Sequence, residues 1–95
     1  MTTQVKPLSI VGEVAAIGSA SVSENYTRNE FLIKINGDYP YEVYFICFNE
    51  TAEQLSRCKV GDTVEVFFGI SSKEYKEKYY TEAKAYRINI KSYKK

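Results

Sequence analysis

The sequence predicts an all-β domain, a five-stranded Greek-key barrel with one short helix between strands three and four. Three observations predict it. Apolar and polar residues alternate over several short stretches, the two-residue period of half-buried strands. One stretch, around Ala52 and Leu55, instead spaces its apolar residues three apart, as a helical turn does. The resulting order of strand, strand, strand, helix, strand, strand closes most simply as a barrel, which removes the unpaired edges an open five-stranded sheet would leave. Ninety-five residues make a single domain, and at 44% hydrophobic the chain can bury a core without metals or disulfides.

Residues 1–7 are polar and read as a flexible lead-in, with the domain proper spanning 8–95. Leu8 to Gly18 is a long strand in which Gly12, Ala15, Ala16 and Gly18 permit tight coiling or a bulge. Ser19 to Tyr26, rich in Ser and Asn, reads as a loop. Phe31 to Ile35 is the second strand, with Phe31, Ile33 and Ile35 on its inner face. Asn36-Gly37-Asp38 follows at once and signals a hairpin, because Asn and Gly tolerate positive φ. The returning strand, Tyr41 to Phe48, puts Val43, Phe45 and Cys47 on one face and Glu42, Tyr44, Ile46 and Phe48 on the other. Asn49 is placed to cap the helix, Ala52 and Leu55 share its apolar stripe, and Val60-Gly61-Asp62 turns the chain out of it. In strand four, Val64, Val66, Phe68 and Ile70 alternate with Glu65, Phe67, Gly69 and Ser71. Ser71 to Lys78 is a charged connector that reads as a protruding hairpin. Tyr79 to Ile90 is the last strand, and its register is open, since Ala83 and Ala85 compete with Tyr86, Ile88 and Ile90 for the inside. This arrangement is the OB-fold.

Several function classes drop out. Histidine is absent, which removes the commonest general base and the commonest zinc ligand. Cys47 and Cys58 lack CxxC spacing and are expected to be buried, reduced thiols of a cytoplasmic protein. The acids are scattered, and Asp38 and Asp62 both serve turns. No enzyme, metal or cofactor is expected. The longest apolar run near the N-terminus, Leu8 to Ala16, is short and broken by Glu13, so neither a signal peptide nor a membrane span is expected.

The net charge of +1 conceals a strong asymmetry. Residues 73–95 carry eight basic against three acidic side chains, net +5, while residues 1–72 carry five against nine, net −4. Five of the nine tyrosines lie in that basic segment. Cations neutralise phosphates and aromatic faces stack on unpaired bases, so this mixture suits a single-strand nucleic-acid groove. Lys73, Tyr75, Lys76 and Lys78 on the connector are its first candidates, because loop tips on a rigid barrel are where ligands are met. Tyr79 and Tyr80 are adjacent and cannot both face outward on one strand; Tyr79 is assigned to the surface and Tyr80 to a structural role. Lys84 and Arg87, on the last strand beside strand three, and Arg28 and Lys34, outward by parity on strand two, are placed to track phosphates. Tyr44, Ile46 and Phe48 form an outward run that either stacks bases or buries itself against a second copy of the chain. Tyr26 either stacks or packs at a hinge. Phe67 reads as a subunit contact or as packing under a loop, and Tyr39 and Tyr41 as aromatic walls of the hairpin at Pro40.

From Phe45 onward the chain resembles the bacterial and phage single-stranded DNA-binding proteins. The likeness rests on Phe48, Ala52-Glu53, Lys59 with Gly61, Val64 and Val66, Tyr75 in its basic connector, and Tyr80-Thr81-Glu82, about half the chain. The whole length also resembles a small bacterial OB-fold family of unknown function through Tyr39-Pro40, Phe48-Asn49, Val60-Gly61-Asp62 and Tyr86-Arg87-Ile88. The first resemblance implies base stacking at Phe48 and Tyr75. Glu42 stands where those proteins carry a stacking tryptophan, and Tyr44 on the same face is the substitute. The sequence ends on Lys94-Lys95 where they carry an acidic tip, so recruitment of partners through such a tip is not expected. The implied function is binding of single-stranded DNA with little sequence preference, in replication, recombination or repair, as in a phage. RNA stays open as a ligand, and a homo-oligomer, dimer or higher, is expected. The alternative is an OB-fold adaptor or inhibitor module that docks a protein on its Tyr44–Ile46 face and binds no nucleic acid.

Overall fold

The structure, a computed structural model, describes residues 8–93; the lead-in expected over residues 1–7 and the basic Lys94-Lys95 end lie outside the described residues. In chain order the elements are β1 (Leu8–Ile17), β2 (Ser21–Val22), β3 (Thr27–Ile35), β4 (Tyr41–Phe48), α1 (Asn49–Ser56), β5 (Thr63–Tyr75) and β6 (Lys78–Ser92). The strands lie in the order β1-β5-β6-β4-β3-β2, and a further β1–β3 pairing closes the sheet on itself. This is the expected OB-fold Greek-key barrel, with its helix between the third and fourth long strands. The extra strand β2 is two residues in the segment read as a loop. It pairs Ser21 with Arg28 and Val22 with Thr27, prolonging the ladder of β3.

Closure depends on β1 serving two neighbours. Leu8 to Glu13 pair with β5, and Glu13 to Ile17 pair with β3. The changeover needs the strand to bend, and the register shifts between Val14 and Ala16, leaving Ala15 as a bulge. Gly12 sits where β1 crosses β3: a Cβ there would stand 2.8 Å from the Lys34 carbonyl oxygen, a backbone atom that cannot swing aside. Inside lie Val14, Phe31, Ile33, Phe45, Cys47, Val64, Val66, Ala85 and Ile88, with Ala52 and Leu55 of α1 closing one end. Phe31 and Phe45 stack at 5.3 Å, and Phe68 meets Phe45 edge-on at 5.1 Å.

The hairpin expected after β3 is present, with Ile35 paired to Tyr41, while its loop type and the readings of Tyr39 and Asn49 are corrected. The β3–β4 connection spans residues 36–40, and the left-handed positions of the described residues, Asn49, Gly61, Lys76 and Glu77, all lie elsewhere. The hairpin is therefore a wider loop than the Asn-Gly signal suggests. Tyr39 is 89% exposed on it and walls nothing. Asn49 does not cap α1: it takes φ 50° as the first helical residue, and its Oδ1 accepts the Thr27 N–H at 3.2 Å, tying the helix start to β3. Phe67, half-buried, carries the Arg87 guanidinium over its ring at 5.7 Å.

The open register of the last strand resolves into both alternatives at once. Phe67 pairs with Arg87 but Phe68 pairs with Ala85, so Tyr86 is one residue too many on β6. The bulge resets the parity: Ala83 and Ala85 face inward before it, Ile88 and Ile90 after it, and Tyr86 stays outside. At the exit of α1, Gly61 takes φ 101° and donates to the Val14 carbonyl at 2.8 Å. The buried Asp62 accepts the Lys59 N–H at 2.9 Å. The turn read there is the seam that joins α1 to β1.

Candidate nucleic-acid interface

The expected charged connector is a two-stranded arm. β5 and β6 remain paired from the barrel to Tyr75↔Lys78, and residues 69–82 are exposed throughout. Lys76 and Glu77 turn the arm with φ of 50° and 66°, the pair of left-handed residues that a two-residue hairpin turn of primed type requires. Cross-strand partners point to the same side. Ser71 with Glu82, Lys73 with Tyr80, and Tyr75 with Lys78 therefore share one face. Ser72 with Thr81 and Glu74 with Tyr79 share the other, where the Ser72 and Thr81 hydroxyls lie 3.0 Å apart.

The first of these faces runs on into the outer surface of the barrel. Ile46 of β4 and Lys84 of β6 are side by side in the parallel ladder, and Gly69 follows Lys84 in the same row. Where the arm leaves the barrel it forms a groove of about 480 Å³ lined by Arg28, Tyr44, Ile46, Lys73, Tyr80, Thr81, Glu82 and Ala83. At the barrel end, Lys84 Nζ lies 4.9 Å from the Phe48 ring centroid, and Tyr26 meets Phe48 edge-on at 6.0 Å. At the arm tip, Lys76 Nζ lies 5.4 Å from the Tyr75 ring centroid. Rings with adjacent cations thus occur at both ends of one continuous face.

A carboxylate sits within this surface. Glu30 Oε2 accepts Arg28 Nη1 at 3.3 Å and also accepts the Tyr44 hydroxyl. The hydrogen bond to Glu30 raises the Tyr44 pKa above its ordinary 10.0, because the phenol proton is held by a negative acceptor. Glu30 is absent from the sequence-based candidates. The signal was its parity with Arg28 and Lys34, which puts all three on the outer side of β3.

The remaining predicted residues divide. Arg28, Tyr44 and Lys73 line the groove; Phe48, Lys84, Tyr75 and Lys78 extend its face. Tyr26 packs against Phe48 at its margin. Tyr80 is 57% exposed and lines the groove, contrary to its structural assignment, and Tyr79 is 71% exposed on the opposite face of the arm. Both are exposed because a two-stranded ribbon has no layer beneath either side. Lys34 lies toward the 36–40 hairpin, in register between Glu13 and Glu42, so acids flank it on both sides. Arg87 falls beyond the Tyr86 bulge and faces Phe67 on β5 rather than β4. Ile46 is only 4% exposed, which takes the middle residue from the apolar docking face of the adaptor alternative.

Cys47 and Cys58 are free thiols, each donating to a backbone carbonyl at 3.6 Å, of Asn29 and Gln54 respectively. Burial pushes both pKa values up, Cys47 to about 11, which removes the thiolate a nucleophile needs. Among the described residues no three Cys, Asp or Glu side chains gather to hold a metal ion, and no helix is long and apolar enough to cross a membrane.

The family model for a domain of unknown function, DUF3127, matches residues 9–89. No curated protein matches significantly. Among solved structures, a mitochondrial single-stranded DNA-binding protein from S. cerevisiae superposes with a TM-score of 0.76 at 16% identity, covering 96% of this chain and 100% of that one. The second single-stranded DNA-binding protein of Mycobacterium smegmatis gives 0.70 at 17% identity, over 90% of this chain and 87% of that one. The single-stranded DNA-binding domain of a Synechococcus sp. protein gives 0.70 at 15% identity, over 93% and 98%. At such identities the likeness is one of fold.

Proposed function

This chain belongs to the DUF3127 family, and we propose that it binds single-stranded DNA without catalysis, with bases stacked along the arm–barrel face. The observation that carries the reading is the shared orientation of Lys73, Tyr75, Lys78 and Tyr80 on the arm with Tyr44, Phe48 and Lys84 on the barrel. Tyr44, Tyr80, Tyr75 and Phe48 supply the stacking surfaces, each worth about 1–3 kcal/mol when a base covers it. Arg28, Lys73, Lys76, Lys78 and Lys84 neutralise phosphates. Lys34 and Arg87 lie off this track and contribute field rather than contact, and Tyr79 lies on the opposite face of the arm. The fold shared with proteins described as single-stranded DNA-binding supports a role where duplex DNA is opened, in replication, recombination or repair. The working form we propose is a homo-oligomer, dimer or higher, because one barrel offers a short site and linked sites gain avidity.

The test is a titration of a fluorescent mixed-pyrimidine DNA oligonucleotide at low and high salt. With about five phosphates neutralised, the affinity should fall by roughly 3.5 log units per log unit of salt, at about 0.7 for each contact. Absence of binding at low salt refutes the reading. A ribo-oligonucleotide of the same sequence, run beside it, decides whether RNA serves equally, since a stacking surface does not read the 2′-hydroxyl.

A further inference from the structure

Gly69 stands in the middle of β5, where a glycine weakens a strand and has no side chain to pack. The fold does not ask for it there. Its backbone is not left-handed, and a Cβ built on it meets nothing within 4 Å beyond its chain neighbours among the described residues. The space left open is a hollow of about 360 Å³ lined by Gly69, Ile70, Ser71, Lys84 and Tyr86. A second irregularity borders it. Tyr86 is the surplus residue of the β6 bulge, and bulges re-aim side chains. Its ring is 51% exposed, with no ring contact and no hydroxyl hydrogen bond among the described residues.

The hollow continues the face that carries Phe48. Gly69 and Lys84 are cross-strand partners, and Ile46 of β4 pairs with Lys84 from the other side. β4 and β6 run parallel, so Phe48 and Tyr86, each two residues beyond the Ile46–Lys84 pair, are displaced from it in the same direction. Lys84 lines the hollow while its Nζ lies 4.9 Å from the Phe48 ring centroid. One lysine thus reaches from the hollow to that ring. Resting on the reading of this face as a single-strand site, we infer that the hollow is a further base subsite. It takes the unpaired base next to the one on Phe48, stacked on Tyr86 with its edge over the Gly69 backbone. Bare backbone lets a flat ring approach where a side chain would hold it off. Lys84 neutralises the phosphate that joins the two bases. The Ser71 hydroxyl at the rim both donates and accepts, so the subsite takes any base. A side chain of a second copy would meet the same walls, but continuity with Phe48 through Lys84 favours the base. The strand therefore crosses β6 toward β5 instead of continuing along β4.

The experiment titrates one fluorescent mixed-sequence DNA oligonucleotide, long enough to cover the whole face, at two salt concentrations. The chains compared are the wild type, Tyr86→Ala, Gly69→Leu and the double variant. Each single variant should weaken binding at least about fivefold, the low end of one stacked base. The double variant should bind within about twofold of the weaker single one, since both changes remove the same base. The salt slope should keep its wild-type value, because no cation is lost. Tyr86→Phe, which keeps the ring, should restore most of what Tyr86→Ala loses. Thermal unfolding checks that the barrel is intact, and Tyr86→Ala, which removes only an exposed ring, carries the test should leucine disturb β5. Wild-type affinity in Tyr86→Ala, or losses that add in the double variant, overturn the subsite and leave the groove beside the arm standing. A Gly69→Leu chain with altered native mass and unchanged affinity also overturns it, giving the hollow to a subunit contact. A wild type that binds no oligonucleotide at low salt instead sinks the single-strand reading itself.

Discussion

Cys47 sits against β3 with its thiol donating to the Asn29 carbonyl at 3.6 Å, and burial carries its pKa from an ordinary 9.0 to about 11. Cys58 is raised for the same reason, and Tyr44 is raised by its bond to Glu30. All three lose a proton less readily in the folded chain than in the unfolded one. The stability this represents is fully present below the unfolded thiol value of 9.0 and is lost as pH rises toward about 11. The urea midpoint should therefore hold level from neutral pH to the unfolded thiol value and then fall. Cys47→Ala should flatten part of that decline, and a wild-type midpoint unchanged across the alkaline range would contradict the assignment. Gly12 makes a second point about single atoms. Its missing Cβ is what lets β1 pass over the Lys34 carbonyl and pair with both β5 and β3.

At the scale of elements, the arm and the barrel separate cleanly. The core lies in the barrel and α1, whereas residues 69–82 are exposed, so the arm adds surface without adding to the buried cluster. Replacing residues 73–80 by a tight Asn-Gly turn should leave circular dichroism and thermal unfolding of the barrel nearly unchanged. It should weaken oligonucleotide binding by at least about tenfold, since the rings of Tyr75 and Tyr80 go with it. Binding that survives the truncation would move the site onto the barrel alone. The difference between these elements also explains what could be read from the sequence. The inner faces of β3, β4 and the first half of β5 were legible because each has one covered and one open side, and a period of two reports that directly. The arm has no covered side, so the rule that adjacent tyrosines must divide between inside and outside failed for Tyr79 and Tyr80. The bulge at Tyr86 was hidden because one surplus residue inverts parity without changing composition. Glu30 was overlooked because a carboxylate on an outward face looks like an ordinary solvated charge until its partners are seen.

For the whole molecule, the two halves of the charge distribution acquire different surfaces. The basic segment supplies the arm and β6, and the acidic remainder includes Glu13, Glu42 and Glu65 on the other long strands. One feature of closure is left over. Leu8 to Gly12 pair with β5 on one side, while β1 meets β3 only from Glu13 onward, so the outer backbone edge of that segment is unpaired among the described residues. Leu8 and Val11 beside it are about half exposed. An unpaired edge flanked by apolar side chains is a template for a strand of another chain, and a two-fold pairing of β1 with its own copy satisfies both partners at once. Native mass measurement of the wild type should then give a multiple of the single chain. Val11→Lys should shift it to the single-chain mass: the ammonium blunts the edge, and within its own molecule it faces Glu65, its register partner on β5, so the barrel is spared. The same variant should bind a short oligonucleotide as the wild type does and a long one more weakly, because only the long strand spans two grooves and gains from their linkage. A wild type that runs as one chain at the concentrations where it binds removes the oligomer, and a Val11→Lys loss confined to the short strand would mean that β1 acts on the groove rather than on assembly.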